Sequence, residues 1–321
     1  MHVLVTGGAG FIGSHLCERL IHDGHTVTAI DNFSTGRASN LTSLRGNIDF
    51  TMVEGSILET NLLNPLIRDA DYVFHLAAAV GVFNIINNPL ASLLTNIRGT
   101  ENVLESAFEK QIPVFLTSSS EVYGKNVSDS LKESDDRILG SPVTLRWSYS
   151  EAKAIDESLA YAYFVEKQLE IRMVRFFNTV GPRQLGAYGM VVPRFIKSAL
   201  ANEPITIYGD GNQTRCFAHV YDVIDAVIAL AFVDNTIGKV INIGNDFEIS
   251  INGLAQKIIA ETQSKSEIVY VPYKEAYGDG FEDMERRVPN IDLIHQLVGW
   301  KPIRNLSTII ADISTEMKMS T

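Results

Sequence analysis

A glycine-rich segment near the N-terminus constrains the fold more than any other feature. The segment "VLVTGGAGFIGSHL" begins at Val3 and carries Gly7, Gly10 and Gly13 in a G-x-x-G-x-x-G spacing. An apolar run precedes the glycines and an amphipathic stretch follows them, which predicts a strand, a tight turn and a helix. Glycines there let the backbone approach a pyrophosphate, whose charge faces the free N–H groups of the helix. The segment therefore predicts a dinucleotide site.

Asp31 indicates which dinucleotide binds. It lies at the end of the next apolar run, "TVTAID". A carboxylate at this position accepts hydrogen bonds from both ribose hydroxyls of NAD and repels the 2′-phosphate of NADP. We therefore expect NAD as the cofactor.

The rest of the chain predicts an α/β fold. Amphipathic stretches such as Ser14–Asp23 and Asn96–Glu109 separate short apolar runs, which are "HVLVTG", "TVTAID", "YVFHLAA", "VFLTSS", "IRMVRFFN" and, later, "GKVINIGN". Near-continuous hydrophobicity is typical of strands buried on both faces, and the alternation predicts a Rossmann-like doubly wound parallel sheet. After Asn178, loops rich in Gly and Pro predict a smaller mixed α/β C-terminal substrate lobe. We expect residues 1–177, with 217–247 returning, in the first lobe, and 178–216 with 248–321 in the second.

Composition excludes several classes of function. The 321 residues are 45% hydrophobic and 20% charged, as in a globular protein, and the net charge of −11 argues against nucleic acid as a partner. No apolar run approaches the 18 residues of a membrane span. Cys17 and Cys216 are too few for a disulfide framework and lack metal-ligand spacing. We therefore expect free cysteines, no metal, no membrane partner and a cytoplasmic location.

Two further segments carry candidate chemistry. In "WSYSEAKAIDESLAYAY", Tyr149 and Lys153 are four residues apart and share one helix face. A tyrosine has a pKa of about 10, but a nearby ammonium and an oxidised nicotinamide favour the phenolate, which makes a general base. In "FLTSSSEVYGKN", three serines and Glu121 follow an apolar run. Those residues suit either a plain turn or a part of the reaction centre.

The chain resembles the extended short-chain dehydrogenase/reductases that act on nucleotide sugars as epimerases, dehydratases or decarboxylases. Motifs in the family's order carry this resemblance along essentially the whole chain. They are GGAGFIG (7–13), DNFSTG (31–36), HLAA (75–78), Asn96, SSSEVYG (118–124), Tyr149-x-x-x-Lys153, FFNTVGPR (176–183), YGDGNQTRCF (208–217) and LVGWKP (297–302).

The resemblance implies roles for the candidate residues. Tyr149 and Lys153 are the family's catalytic pair, and Ser119 occupies the position that hydrogen-bonds the substrate hydroxyl. The decarboxylases that act on UDP-glucuronate have Thr-Ser-Glu-Val-Tyr-Gly where this chain has Ser119-Ser120-Glu121-Val122-Tyr123-Gly124. Arg215 matches an arginine that decarboxylases place near the substrate carboxylate. The segment "YGDGFEDMERRVPN" also resembles decarboxylases.

The predicted site residues fall into three sets. The catalytic set is Tyr149, Lys153, Ser119, Ser120, Glu121 and Arg215. The NAD-binding set is Gly7, Gly10, Phe11, Ile12, Gly13, Asp31, Asn32, Ser34, Gly36, Ser56, Ile57, Leu76, Ala77, Ala78, Asn96, Ser118, Tyr149, Lys153 and Phe176. The set for the UDP-sugar substrate is Asn178, Val192, Tyr208, Gln213, Arg215 and Arg287.

These sets predict NAD-dependent modification of a nucleotide sugar through transient oxidation at C4. UDP-glucuronate decarboxylation to a UDP-pentose is the favoured reaction, with Glu121 and Arg215 positioning the carboxylate and protonating C5. A UDP-sugar 4-epimerase is the alternative, because an arginine such as Arg215 also serves as a diphosphate ligand. A catalytically silent protein that binds NAD or a nucleotide sugar is an alternative of another class. The family further implies a homodimer.

Overall fold

The structure is a computed structural model that describes residues 1–186, 190–277 and 284–319. Residues 278–283 of the segment "YGDGFEDMERRVPN" therefore lie outside the described residues.

A parallel sheet forms the centre of the molecule. Within the described residues it has seven strands in the order β11-β6-β5-β4-β1-β2-β3, and every neighbouring pair is parallel. Three small two-stranded sheets pair β10 with β7, β12 with β9 and β13 with β8. The strands are β1 (His2–Thr6), β2 (Thr26–Asp31), β3 (Phe50–Glu54), β4 (Tyr72–His75), β5 (Val114–Ser119), β6 (Ile171–Phe176), β7 (Thr179–Val180), β8 (Ile205–Tyr208), β9 (Thr214–Cys216), β10 (Ala218–His219), β11 (Val240–Ile243), β12 (Glu248–Ser250) and β13 (Ile268–Val271).

Helices cover both faces of this sheet and build the second lobe. They are α1 (Phe11–His22), α2 (Thr60–Arg68), α3 (Val82–Asn87), α4 (Pro89–Lys110), α5 (Ser148–Lys167), α6 (Val191–Ala201), α7 (Val220–Ala231), α8 (Ile251–Thr262), α9 (Tyr273–Tyr277), α10 (Asp292–Val298) and α11 (Leu306–Met319). The predicted Rossmann-like fold is confirmed. The predicted helices Ser14–Asp23 and Asn96–Glu109 correspond to α1 and α4. Each helix begins earlier than expected, and α1 ends one residue sooner, at His22.

Successive side chains of the central strands point to opposite faces of the sheet and pack in two separate hydrophobic cores. Val3 and Val5 of β1 pack in one cluster with α1 and α7, whereas Leu4 packs in a second cluster with α2, α4 and α5. Burial on both faces accounts for the continuous apolar runs. A third cluster joins α6, α8 and α11 with β8 in the second lobe, including Phe195 and Leu254. The lobe boundaries given above stay a prediction.

The order of the strands determines where a ligand can bind. The chain runs outward from β1 to β2 and β3 on one side, and to β4, β5, β6 and β11 on the other. The crevice beyond the carboxyl ends of strands at such a reversal is the usual ligand site of a doubly wound sheet. In the part of the chain that the structure describes, no helix combines the length and apolarity that crossing a membrane requires.

Candidate active site

A cleft of about 650 Å³ lies at this reversal point. It brings together the glycine turn after β1, the end of β5, the start of α5 and parts of the second lobe. All the predicted site residues line it except Gly36 and Asn96. Asn96 lies behind the cleft wall, where its side chain binds both the N–H and the carbonyl of Ala79, so it holds the loop that follows β4.

The glycine turn has the geometry of a pyrophosphate cradle. Gly7 has a φ of +73°, and a Cβ on Gly13 would lie 2.1 Å from the Gly7 carbonyl oxygen. Helix α1 begins directly after Gly10, which provides no side-chain cap for its first N–H groups. These donors and the space in front of them fit the diphosphate of a dinucleotide. A side chain at Gly13 would therefore clash with the turn, and the first N–H groups of α1 are suited to bind an anion.

Asp31 is already ordered by the glycine turn. Its carboxylate accepts hydrogen bonds from the backbone N–H of Ala9 at 3.0 Å and of Phe33 at 2.8 Å. Burial raises the pKa of Asp31, while these backbone donors oppose that change. A Cβ on Gly36 would approach both carboxylate oxygens to 2.9 Å, which explains why a glycine suits that position. The arrangement leaves acceptor capacity for ribose hydroxyls.

Tyr149, Lys153 and Ser119 converge across β5 and α5. The Tyr149 hydroxyl is hydrogen-bonded to Ser119, and Lys153 Nζ donates to the Thr117 carbonyl at 3.0 Å. Burial raises the pKa of Tyr149, as do the Glu121 and Asp156 carboxylates, while Ser119 and Arg287 act in the opposite direction. The phenolate therefore needs further positive charge beside it before it can act as a base near neutral pH.

Glu121 lies between two arginines. Arg146 reaches its two oxygens at 2.5 and 3.1 Å, and Arg287 Nη1 lies 2.9 Å from Oε1. Although burial raises the pKa of a carboxyl, Arg146 and Arg287 outweigh this effect and hold the pKa of Glu121 at about 2. Glu121 is therefore ionised at neutral pH. Sequence reasoning missed Arg146, although it stands three residues before Tyr149.

The predicted substrate residues of the second lobe are spread along the same cleft. Arg287 Nη2 donates to Asn178 Oδ1 at 3.0 Å, whereas Arg215 Nη1 donates to the Thr214 carbonyl at 2.8 Å. Gln213 donates to the carbonyl of Tyr208 and to the Tyr273 hydroxyl. The Arg194 guanidinium stacks 4.5 Å from the centre of the Tyr208 ring. Val192 lines the cleft from the start of α6.

The fold and the cleft together are those of a Rossmann-like enzyme, with Tyr149 and Lys153 lining the same cleft as the glycine turn. A sequence model of the family described as "NAD dependent epimerase/dehydratase family" matches residues 3–244. The chain belongs to this family, which confirms the resemblance found from its motifs.

Comparisons with individual proteins agree. The chain is 42% identical over 300 residues to a UDP-N-acetyl-alpha-D-glucosaminuronate decarboxylase of Bacillus cytotoxicus, covering 93% of this chain and 92% of that protein. It is 37% identical over 302 residues to UDP-glucuronic acid decarboxylase 1 of Xenopus tropicalis, covering 94% and 68%. The structure also superposes on a crystal structure of UDP-glucuronic acid 4-epimerase from Bacillus cereus in complex with UDP-glucuronic acid and NAD. The superposition covers the full length of both chains, with a TM-score of 0.90 and 30% sequence identity.

Proposed function

We propose that this protein is an NAD-dependent decarboxylase of a UDP-hexuronate that works by transient oxidation at C4. One observation carries the proposal: Arg146 and Arg287 bring two buried guanidinium groups to Glu121, beside Ser119 and Tyr149. A hexuronate carries a carboxylate on C5, one carbon from the hydroxyl that is oxidised. Two guanidinium groups face the single carboxylate of Glu121, so one positive charge is left over, and arginines recognise carboxylates in a bidentate geometry. This surplus charge suits the carboxylate of a hexuronate, which a neutral hexose lacks.

The cofactor fits the glycine turn, Asp31 and the Lys153 side of the cleft. Gly7, Gly10 and Gly13 admit the diphosphate, and Asp31 accepts hydrogen bonds from ribose hydroxyls. When bound, NAD⁺ would accept a hydride from C4 and return it after the carbon chemistry. Lys153 and the charge of the oxidised nicotinamide then lower the pKa of Tyr149, opposing the burial that raises it.

The chain's own residues account for the proton transfers. Tyr149 removes the proton of the C4 hydroxyl, and Ser119 orients that hydroxyl through the hydrogen bond it shares with the tyrosine. The resulting 4-ketone is β to the C6 carboxylate. The electrons of the C5–C6 bond then pass into the ketone as CO₂ leaves, and Tyr149, now protonated, donates a hydrogen bond to the enolate oxygen. C5 takes a proton from water.

Glu121 serves this scheme as an ionised anchor. Because Arg146 and Arg287 hold its pKa at about 2, it has no proton to give to C5 near neutral pH. Arg287 contacts both Glu121 and Asn178, so we assign the substrate carboxylate to Arg287 and Arg146. Arg215 lies on the cleft wall among backbone carbonyls and is left for the diphosphate. Tyr208, backed by Arg194, offers a stacking surface for the base.

Proton NMR of the products tests the proposal. The protein with NAD⁺ is incubated separately with UDP-glucuronate, UDP-N-acetylglucosaminuronate, UDP-glucose and UDP-galactose. We expect a UDP-pentose or its 4-keto form from at least one of the two hexuronates and no turnover of the hexoses. A Tyr149→Phe variant controls for contaminating enzymes, since it keeps the fold of the cleft and loses the base.

The same experiment separates the alternatives. Inversion at C4 with all six carbons retained makes the protein a 4-epimerase, the activity named for the Bacillus cereus structure. Tight binding of NAD⁺ and a UDP-sugar without any conversion points to a silent binding protein. Either outcome contradicts decarboxylation.

We also propose that the protein is a cytoplasmic homodimer. Helices α4 and α5 expose several large apolar side chains, among them Leu90, Ile155, Tyr161 and Val165. Burial of such residues between two copies is favourable. Both cysteines are free and buried, which is typical of a protein in a reducing compartment. Light scattering should give twice the 35.4 kDa of one chain, and a value of 35.4 kDa contradicts the dimer.

A further inference from the structure

A buried carboxylate lies directly behind the catalytic lysine. Asp156 is fully buried on α5, three residues after Lys153, which is 2% exposed. Lys153 Nζ donates to Asp156 Oδ2 at 3.1 Å and to the Thr117 carbonyl at 3.0 Å. The reaction scheme gives this aspartate no part, although a buried charge is costly unless it is paired and hydrogen-bonded.

Asp156 ends a chain of buried hydrogen bonds that starts at the cofactor side of the cleft. The backbone N–H of Ala77 donates to Thr6 Oγ1 at 3.1 Å, and Thr6 Oγ1 lies 2.8 Å from His75 Nδ1. His75 Nε2 lies 3.1 Å from Thr100 Oγ1, and the Thr100 hydroxyl is near enough to Asp156 to lower the pKa of that carboxyl as a donor does. Every one of these side chains is buried.

The two ends of this chain fix its direction. The N–H of Ala77 can only donate, so Thr6 Oγ1 accepts from it. His75 Nδ1 is the other hydrogen-bond contact of Thr6 Oγ1 among the described residues, so the Thr6 hydroxyl gives its proton to that nitrogen. His75 is therefore protonated on Nε2 and donates to Thr100, whose hydroxyl proton points at Asp156. Burial and the charge of Lys153 lower the pKa of His75 to about 3, so the ring stays neutral.

This direction makes Asp156 an acceptor on every contact. Lys153 donates to Oδ2, whereas Oδ1 has no hydrogen-bond partner among the described residues. Burial raises the pKa of Asp156 above its ordinary value and Glu157 adds to this, while Lys153 and Thr100 act in the opposite direction. The contact with the Lys153 ammonium suits a carboxylate, since a protonated carboxyl would have no acceptor for its proton.

We propose that Asp156 is a positioning residue that holds Lys153 Nζ in place and limits how strongly the lysine charge favours the Tyr149 phenolate. The proposal deepens the proposed function and rests on Tyr149 as its base. Lys153 supplies positive charge to the phenolate, and Asp156 offsets part of that charge from behind. Glu121, Arg287 and Ser119 also act on the pKa of Tyr149. Asp156 therefore limits how far the pKa of Tyr149 falls, and it holds the Lys153 side chain in place.

The test is a titration of Tyr149 by NMR in protein labelled with ¹³C at the tyrosine ζ carbon. The chain has 11 tyrosines, and the resonance that disappears in Tyr149→Phe identifies the one of interest. Wild type and Asp156→Asn are compared as their NAD⁺ complexes. We expect the apparent pKa of Tyr149 to fall by about one unit in Asp156→Asn, because a carboxylate near the phenolate is removed while the ammonium remains. An unchanged or higher pKa overturns the proposal.

Glu151→Gln is the matched control. It removes the same charge from the same helix, but Glu151 is exposed and paired with Arg137, so solvent screens it. A purely structural role for Asp156 would lower stability and leave the Tyr149 titration where it was. If Asp156→Asn does not fold, Asp156→Ser takes its place, since it also removes the carboxylate and keeps a polar group at that position. The same fall is then expected, and no change overturns the proposal.

The titration needs no sugar substrate, so its result is separate from the identity of the reaction. A wild-type protein that binds NAD⁺ but converts no hexuronate contradicts the proposed function and leaves the expected titration intact. A wild-type protein that does not bind NAD⁺ also contradicts the proposed function. The Tyr149 titrations of wild type and Asp156→Asn are then compared without NAD⁺.

Discussion

The pairing of Glu121 with two arginines makes the stability of the protein depend on pH in a predictable way. The perturbation is Glu121→Gln. In the wild type, Arg146 and Arg287 overcome the effect of burial and hold the pKa of Glu121 at about 2, against an ordinary value of 4.5. The side chain is 14% exposed, so solvent screens the interaction only weakly. A depressed folded-state pKa stabilises the protein above pH 4.5, and this stability is lost as pH falls toward 2.

The expected magnitude follows from that pKa difference. One pKa unit corresponds to about 1.4 kcal/mol, so ionised Glu121 contributes about 3 kcal/mol at pH 6 and about 1 kcal/mol at pH 3. The wild type should therefore lose about 2 kcal/mol more than Glu121→Gln between these pH values. Urea unfolding of both proteins at pH 6, 4.5 and 3 measures this difference. A gap between the two unfolding free energies that stays constant with pH would refute the reasoning.

Three further substitutions test other parts of the site. Gly13→Ala should distort the glycine turn, because its Cβ would lie 2.1 Å from the Gly7 carbonyl oxygen, and should abolish NAD binding in calorimetry. Normal NAD affinity would contradict the cradle. Arg287→Ala should lower kcat/KM for a hexuronate by about 100-fold, because the buried substrate carboxylate loses its partner, and should leave the NAD affinity unchanged. A loss under tenfold would argue against a contact between Arg287 and the carboxylate. Tyr149→Phe should leave UDP binding intact in calorimetry and eliminate NADH formation in single-turnover absorbance, and residual turnover would exclude Tyr149 as the base.

Local rules were sufficient to predict that several residues line the cleft, while their functional roles stay predictions. Each of these features was predicted from one strand or helix and the residues next to it. They are the glycine turn, Asp31 and the spacing of Tyr149 and Lys153. Their convergence follows from the parallel sheet, because the carboxyl ends of β1, β2 and β5 meet at one edge. Edge strand β3 was missed because none of its residues is fully buried, unlike the buried runs that identify the central strands.

The parts that sequence reasoning missed depend on contacts between distant segments. Arg287 was predicted as a substrate residue, but its contact with Glu121, 166 positions away along the chain, was not. Arg146 joins the same carboxylate from a segment without regular strands. Asp156 looks like a polar position of an amphipathic helix until its burial against α4 becomes visible. Charge pairs of this kind are set by tertiary packing, which a single sequence does not encode in its spacing.

The central claim is that oxidation at C4 precedes the loss of the C6 carboxylate. The most direct measurement uses a UDP-hexuronate deuterated at C4, with mass spectrometry of the nicotinamide pool and of the sugar products during a single turnover. The account predicts that deuterium appears on the reduced nicotinamide before or together with CO₂, and that CO₂ is released more slowly than from unlabelled substrate. Release of CO₂ at an unchanged rate, with deuterium never leaving C4, would contradict it.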